Sequence, residues 1–274
     1  MRRGGGGTRL DSWSETWLLG FNLDKCKHMR LARTGSIPER TYYLKGHALQ
    51  RASQEKDIGV IIDEDLSFDL HISEKVKTAN SMFGRIRRTF QFLDGDMFSF
   101  LYKALVRSHL DYCSSVWAPY KIKHVVQIEQ VQKRATKQLP GMKDLSYSER
   151  LQKLKLPTLS FRRLRGDLIE VFKIVNGIYD NETTQFLKMW ADMADRNSNR
   201  GHALKLYPQQ SSTLLRKNSF ALRTVKFWNQ LPEDIVSAPS VNSFKNRLDK
   251  HYKSSSIMYE EFKWTMTGSG NVSQ

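Results

Sequence analysis

The sequence predicts an α+β fold that is predominantly α-helical, with a small antiparallel β-sheet followed by a basic, thumb-like helical bundle. Two patterns support this prediction. Up to Leu66, short apolar runs alternate with turn residues, as in a small sheet. Beyond Leu66, apolar residues recur every three to four positions, as on one face of a helix. The 274 residues are enough for one large domain or two ordinary ones.

Residues 1–66 are expected to form a flexible N-terminus and the small sheet. Residues 1–9 include four consecutive glycines and are expected to be flexible. In residues 10–66, Trp13, Trp17 and Phe21 recur every four positions, which predicts a helix from Asp11 with one buried face. The predicted strands are His28–Ala32, Tyr42–Leu44, Ala48–Arg51 and Ile58–Ile62, with Lys45-Gly46 as a turn.

Residues 67–178 are expected to form the helical domain. Its first helix has apolar residues from Ile72 to Phe90 at helical spacing. Asp94 begins a second helix, and a third extends from Ile122 to Ala135 with its cations facing outward. Ser146-Tyr147-Ser148-Glu149 is a capping box, and a long helix follows from Leu159 to Val175.

Residues 179–252 are expected to form a connector and further helices. The helical pattern weakens after Asp180, with one short helix near Phe186–Trp190. Order returns at Phe220–Leu231, and Ser240 caps a last helix that extends to about Tyr252. Residues 253–274 are polar and rich in serine and glycine, which predicts a disordered tail.

The charge is strongly positive and unevenly distributed. The chain has 44 Lys and Arg against 28 Asp and Glu, a net charge of +16. A field of this sign attracts polyanions, nucleic acid first and an acidic membrane surface second. From Leu70 to Arg165 there are 19 basic and seven acidic residues, so most of the positive charge lies on the predicted helices rather than on a tail.

Several features indicate an intracellular protein, in the nucleus or cytoplasm, with no membrane partner. No apolar run approaches the roughly 18 residues that a membrane span requires. The opening MRRGGGG is not followed by the apolar stretch of a secretory signal. The two cysteines, Cys26 and Cys113, are too few for a disulfide framework.

Three acidic or metal-ligating groups are candidate chemical sites. Asp63-Glu64-Asp65 follows a strand, as in two-metal polymerases, but a partner aspartate on a neighbouring strand is missing, which favours a solvated turn. Asp94-Gly95-Asp96 is better explained as a helix cap. His109 and Cys113 lack the second pair of ligands that a closed zinc site needs. The sequence therefore predicts no complete catalytic site and no metal site.

The basic helices give the strongest functional indication. Lys and Arg side chains on one surface neutralise phosphates, and release of counterions then drives binding. The alternative is a solvated face that only keeps the protein in solution. Because the surplus recurs on three helices, nucleic-acid contact is favoured. The candidate residues are Lys75, Lys77, Arg85, Arg87, Arg88, Arg107, Lys133, Arg134, Lys137, Arg162, Arg163 and Arg165.

Several short segments between Leu10 and Tyr252 also occur in the same order as similar segments of a known protein family. They are Trp17–Cys26, Lys56–Val60, Tyr102–Tyr112, Val116–Pro119, Gln132–Lys137, Arg162–Leu168, Arg200-Gly201-His202 with Lys205-Leu206, and Trp228–Pro232. Together they resemble the C-terminal part of reverse transcriptases of non-LTR retrotransposons (LINE-type, jockey/CR1-like), beyond the catalytic hairpin. Arg200-Gly201-His202 has a counterpart in the family but no evident physical role.

The resemblance implies roles for particular residues. Asn22 and Lys25 match polymerase motif D, whose lysine is thought to help protonate the departing pyrophosphate. Ile58, Gly59 and Val60 match the primer-grip strand, where a glycine suits close approach to a nucleic-acid backbone. The basic helices match the thumb, which holds the primer–template duplex.

The resemblance also implies what the chain lacks. In the family, the metal-binding aspartate pair lies upstream of the segment that Asn22 and Lys25 match, and only about ten residues precede the matching region here. We therefore expect an RNA-directed DNA polymerase fragment that is inactive alone, with no cofactor in this chain, because Mg²⁺ is expected only for the full-length polymerase.

Two functions follow from these observations. In the first, the fragment binds RNA, DNA or an RNA–DNA hybrid with little sequence preference, and the missing palm and fingers region is a further candidate partner. In the second, the chain is an element-derived protein-interaction module with no nucleic-acid role, which docks through the aromatic face of Trp13, Trp17 and Phe21.

Overall fold

The computed structural model describes residues 6–31, 40–180, 185–192, 201–253 and 256–260. The predicted class is confirmed, because helices predominate and the strands form small two-stranded sheets. The chain divides into two compact units, Met1–His71 and Ile72–Gln274. Within the described ranges, no helix combines the length and the apolar character that a membrane span requires.

The first unit contains one helix and three pairs of short strands. Helix α1 is Gly6–Thr16, and a 3₁₀ turn spans Leu23–Lys25. The strands are β1 (Lys27–His28), β2 (Tyr43–Leu44), β3 (His47–Ala48), β4 (Gln50–Arg51), β5 (Gln54–Asp57) and β6 (Val60–Asp63). β1 pairs in parallel with β4, whereas β2–β3 and β5–β6 are antiparallel hairpins. The single antiparallel sheet that the sequence predicted is therefore three separate pairs, one of them parallel.

The aromatic face predicted for the first helix is not buried. α1 ends at Thr16, before Trp17, and the side chains of Trp13 and Trp17 are 47% and 65% exposed. The buried residue of this segment is Ser14, whose hydroxyl donates to the carbonyl of Leu19 at 2.6 Å. Since the chain reverses just beyond the helix, the four-residue spacing of the aromatics does not continue along one helical face.

The predicted strand Ile58–Ile62 begins two residues later than expected. Ile58 and Gly59 form the two-residue turn between β5 and β6, with φ angles of +40° and +81°, and Asp57 faces Val60 across the hairpin. Two consecutive positive φ angles match the right-handed twist of a tight hairpin. Of the three primer-grip-like residues, only Val60 lies on a strand, and the Ile58 side chain is exposed.

The second unit is built from helices. α2 begins at Asp69, in the first unit, and continues to Thr89 in the second. The others are α3 (Gly95–Leu101), α4 (Ser108–Asp111), α5 (Ser114–Trp117), α6 (Ile122–Lys137), α7 (Tyr147–Leu154), α8 (Leu159–Val175), α9 (Leu214–Lys217), α10 (Phe220–Arg223), α11 (Val225–Asn229), α12 (Glu233–Val236) and α13 (Val241–Lys253). A π-helical segment, Tyr102–Arg107, joins α3 to α4.

The helix ends follow from local hydrogen bonds, as the sequence indicated. Asp94 caps α3 by accepting from the N–H of Met97 at 2.7 Å. The capping box of α7 is complete, since Ser146 and Glu149 each accept a backbone N–H of the other. Ser240 accepts from Ser243 at the start of α13. These side chains satisfy backbone donors that a helix leaves unpaired in its first turn.

The hydrophobic core of the second unit includes residues of α8 and of the C-terminal helices. Phe161, Leu168 and Phe172 of α8 pack with Trp228 of α11 and Phe244 of α13. The rings of Phe172 and Phe244 stack with their centroids 4.4 Å apart. α8 is therefore the central helix of a single core that includes the C-terminal helices.

Two short segments near the C-terminal helices also have defined structure. Near Phe186–Trp190, where the sequence predicts one short helix, Trp190–Asp192 is a 3₁₀ turn and Met189 makes an isolated β-bridge with Leu206. Part of the tail that was expected to be disordered is folded. Ser256–Met258 is a 3₁₀ turn, and the carbonyl of Met258 accepts from the N–H of Thr158 at 2.9 Å. Residues 1–5 and 261–274, where flexibility was also expected, lie outside the described residues.

Candidate nucleic-acid interface

The twelve cations predicted to bind nucleic acid separate into two groups. The side chains of one group lie on α2 and α6 and are exposed or half-buried: Lys75, Lys77, Arg85, Arg87, Arg88, Lys133, Arg134 and Lys137. The other lies on the π-helical segment and α8, where the side chains are mostly covered: Arg107, Arg162, Arg163 and Arg165. The same residue type therefore occurs in two different environments.

Arg163 is buried, with 6% of its surface exposed. One of its guanidinium nitrogens donates to the hydroxyl of Ser160 at 3.1 Å. Burial lowers the pKa of Arg163, and the nearby carboxylates of Glu129 and Asp111 partly oppose that shift. Because the side chain lies inside the protein, Arg163 cannot reach a phosphate on the surface.

The other three covered arginines are held by aspartates. Arg107 and Arg162 share Asp111, with N···O distances of 3.4 and 2.8 Å. Arg165 forms a two-pronged pair with Asp249 of α13, at 2.5 and 2.7 Å. These pairs connect α8 to α4 and α13, so the basic face predicted for this helix stabilises the fold.

Two charged residues in this region were not predicted from the sequence. Arg223 of α10 and Asp167 of α8 are both buried and form a two-pronged pair at 2.8 and 3.0 Å. Arg223 also donates to the carbonyl of Ser115 at 2.8 Å. Their sequence positions are 56 apart, and no local pattern indicates that they meet.

Glu129 is a third unpredicted residue with a structural role. Its carboxylate accepts the N–H groups of Leu159 and Ser160 at the start of α8, at 3.1 and 3.2 Å, and the hydroxyl of Tyr147 at 2.5 Å. Burial raises the pKa of Glu129, and these hydrogen bonds and the charge of Arg163 act in the opposite direction. The arrangement fixes α6 against the first turn of α8.

The exposed cations concentrate where α2 and α6 end. We call Arg85, Arg87, Arg88, Arg134 and Lys137 the basic rim; all five side chains are exposed. Among the residues that the structure describes, none of the five lies within ion-pair distance of a carboxylate. Lys75 and Lys133 are half-buried, and the ammonium of Lys133 lies over the Tyr147 ring, 5.4 Å from its centre. Lys77 is exposed in the middle of α2.

A groove of ≈ 570 Å³ lies beside the rim, between the end of α2 and the end of α6. The loop after α2, residues 90–94, forms one wall and residues 138–142 form the other. Arg87 is the rim residue that lines the groove, and the α6 side contributes Ala135 and, just beyond the helix, Gln138. Phe92 lies at its edge with 89% of its surface exposed.

Asn22 and Lys25, for which the sequence suggests a resemblance to polymerase motif D, lie in the first unit. Asn22 and Lys25 are exposed at the two ends of the 3₁₀ turn, and the N–H of Lys25 donates to the carbonyl of Asn22 at 3.1 Å. Asp63, considered above as a metal ligand, accepts the N–H groups of Ser67 and Phe68 and so shapes the turn into α2. No group of three or more His, Cys, Asp or Glu able to hold a metal ion occurs in the described part of the chain.

The segment Arg200-Gly201-His202 has a structural explanation for its last two residues. Gly201 has a φ of +100°, and a β-carbon there would overlap the side chain of Lys205. His202 is buried, with its Nε2 3.1 Å from the carbonyl of Trp228. The indole N–H of Trp228 donates to Leu204 at 2.6 Å. Two of the family-like segments therefore hold each other in place, and Arg200 lies outside the described residues.

Comparison of the chain with models of protein families, with curated proteins and with solved structures finds no match.

Proposed function

We propose that this chain binds nucleic acid through the basic rim, which contacts phosphates with little preference for sequence. The observation that supports the proposal is the set of five exposed cations at the ends of α2 and α6 that have no carboxylate partner among the described residues. Four of the five are arginines, whose planar guanidinium groups match phosphate geometry with two parallel hydrogen bonds.

Helix electrostatics alone explain part of this arrangement. A cation in the last turn of a helix interacts favourably with the helix dipole, by roughly 0.3–1 kcal/mol. Arg87 and Arg88 occupy the last turn of α2, and Arg134 and Lys137 that of α6. The dipole does not explain why Arg87 lines an open groove that also borders Gln138, just beyond the end of α6. An anionic ligand in that groove would meet Arg87 directly.

We further propose that the chain derives from the C-terminal part of a LINE-type, RNA-directed DNA polymerase, as the ordered series of family-like segments suggests. On this proposal the partner is RNA, DNA or their hybrid, and the rim takes the place of the thumb surface that holds a primer–template duplex. We propose binding rather than polymerisation. The two residues that resemble polymerase motif D, Asn22 and Lys25, are exposed side chains on a short turn.

A salt titration of binding tests the proposal. Fluorescence anisotropy would give the affinity of the full chain for an RNA–DNA primer–template and for duplex DNA over a range of salt concentrations. We expect the logarithm of the affinity to fall linearly with the logarithm of salt, by about 0.9 for each phosphate neutralised on duplex DNA. Replacing Arg85, Arg87 and Arg88 with alanine should weaken binding evenly across sequences and flatten this slope.

A matched triple variant distinguishes the effect of the rim on binding from the effect of net charge. Lys188, Lys217 and Lys226 are exposed, lie outside α2 and α6, and their replacement by alanine removes the same three charges. We expect this control to bind with nearly the slope of the unmodified chain. Equal losses in both triple variants, or a loss confined to one nucleic-acid sequence, would contradict a rim that contacts phosphates.

The second candidate function is a protein-interaction module, and one observation favours it. Trp13, Trp17, Leu18 and Leu19 are all exposed around the end of α1, and Leu18 is 91% exposed. Apolar side chains clustered at the surface mark interaction sites more often than isolated ones do. If the folded chain binds nucleic acid weakly and without salt dependence, this candidate replaces the first.

A further inference from the structure

Resting on the proposed function, we infer that the groove between the ends of α2 and α6 accepts an unpaired nucleobase, which stacks on Phe92 while the rim holds the neighbouring phosphates. The ligand is thus a nucleic acid with a single-stranded segment, in preference to a continuous duplex. The inference rests on the lining of the groove, on the exposure of one aromatic ring and on the charge around both.

The floor of the groove is apolar. Phe83 of α2 and Ala135 of α6 are buried there, together with Leu139 and Met142 from the loop after α6. Its volume of ≈ 570 Å³ lies within the range of roughly 300–1,000 Å³ that is typical of small-molecule sites. A flat ring therefore has both room and apolar surface to cover.

The ring of Phe92 is exposed and has no stacking partner among the described residues. Its side chain is 89% exposed, and no other aromatic ring of the described chain packs against it. Phe90, two residues earlier, lines the same groove and is half-buried. Aromatic side chains beside a cationic surface form the usual platform for single strands, because every base has a π-face that can stack.

The charge and polarity of the groove favour a nucleotide over an apolar peptide. Arg87 lines the groove, and Gln91 and Gln138 add exposed amide groups that can donate to and accept from a base edge. Asp94 is the acidic residue in the lining; its carboxylate accepts from Met97 and faces the positive end of α3. A phosphate next to the base can therefore meet Arg87, which has no carboxylate partner among the described residues.

Two oligonucleotides of equal charge test the inference. One is a DNA duplex with a tail of six thymidines, and the other is the same duplex with a tail of six abasic residues. Both carry the same phosphates, so a difference in affinity reports contact with the bases. We expect the thymidine tail to bind about tenfold more tightly to the unmodified chain, as one stacked base would give. Phe92→Ala should abolish that difference and leave the salt slope unchanged.

Phe100→Ala is the matched control, because Phe100 is also exposed, at 72%, and belongs to α3 outside the groove lining. It should retain the preference for the thymidine tail. Equal binding of the two tails to the unmodified chain, or the same loss in both phenylalanine variants, would overturn the inference while the rim proposal stands. If neither oligonucleotide binds in a salt-dependent way, the rim proposal itself fails.

Discussion

The arginines around α8 and those of the basic rim differ in what the fold supplies to them. Arg163 and Arg165 on α8 meet a serine hydroxyl and an aspartate of the same chain, whereas Arg87 and Arg88 at the end of α2 have no acidic partner among the described residues. A guanidinium that is taken out of water requires a paired charge or hydrogen bonds to offset the loss of hydration. An exposed guanidinium keeps its water, and its charge remains available to an external anion.

The difference shows that the number of cations on a helix overstates the surface available to a polyanion. α8 has three predicted nucleic-acid contacts, and all three are covered or held by the fold. Whether a cation stabilises the fold or remains available to an external anion depends on where its acidic partners lie. These partners come from distant positions in the chain, such as Asp111 and Asp249. Substitutions in the two regions should therefore have opposite consequences for stability and for binding.

The largest effect on stability is expected from Asp167→Ala. It leaves Arg223 buried without its two-pronged partner and removes a nearby negative charge from Arg163. Removing one member of a buried pair costs roughly 3–5 kcal/mol. Urea unfolding followed by circular dichroism should show this loss in the free energy of unfolding. Asp144→Ala is the control, because Asp144 is exposed, and it should change that free energy by less than about 0.5 kcal/mol.

Binding to nucleic acid should be unaffected by Asp167→Ala. At a temperature where the Asp167→Ala chain remains folded, its affinity for duplex DNA and its salt slope should equal those of the unmodified chain. A loss of stability below about 1 kcal/mol would mean that the buried pair is open to water, and the contrast with the rim would disappear.

A smaller effect should follow from pH, because the buried His202 contacts Trp228, which packs in the core around α8. Burial lowers the pKa of His202. In the neutral ring, Nε2 donates to the carbonyl of Trp228, and Nδ1 is buried without a partner in the described structure. The unfolded chain takes up the proton first as pH falls below about 6.5, so the stability that neutral His202 supplies is present above that pH and is lost below it.

We therefore expect the free energy of unfolding to decline between pH 7 and pH 5, with His202 contributing to the change. His202→Gln keeps a donor for the carbonyl of Trp228 and should reduce the decline. His251→Gln, at an exposed histidine, should leave it unchanged. Over the same pH range, the salt slope of binding should remain constant, because the His202 contact lies outside the rim. A decline of equal size in the His202 variant would assign the pH dependence to other groups.

The parts of the fold that the sequence predicted depend on neighbours close in the chain. The capping box at Ser146 and Glu149 formed as expected because both hydrogen bonds lie within four residues. The long helix from Leu159 to Val175 is also correct, since one helical period of apolar residues continues along it. Such features need no information about distant segments.

The parts that could not be predicted depend on contacts between distant positions. Trp13 and Trp17 have the spacing of a buried face, but the chain turns after Thr16 and leaves both exposed. Likewise, the pattern that placed Arg163 among surface cations cannot show that Glu129 and Asp111 lie near it. The rim residues could be named from the sequence, whereas the groove beside Arg87 and the exposure of Phe92 required the structure.

The smallest effects are expected when one arginine in each region is replaced by lysine. Arg165→Lys keeps the charge but loses the planar fork that binds both oxygens of Asp249. Because Asp249 is about 41% exposed, the loss should be modest, about 0.5–1 kcal/mol in the free energy of unfolding. Affinity for nucleic acid should not change, since Arg165 is occupied by its aspartate.

Arg88→Lys should give the complementary result. Arg88 is exposed and has no partner of defined geometry in the described chain, so stability should change by less than about 0.5 kcal/mol. The salt slope should also remain, because a lysine neutralises one phosphate as an arginine does. If Arg165→Lys weakened binding and Arg88→Lys weakened folding, the assignment of α8 to the fold and of the rim to the ligand would be reversed.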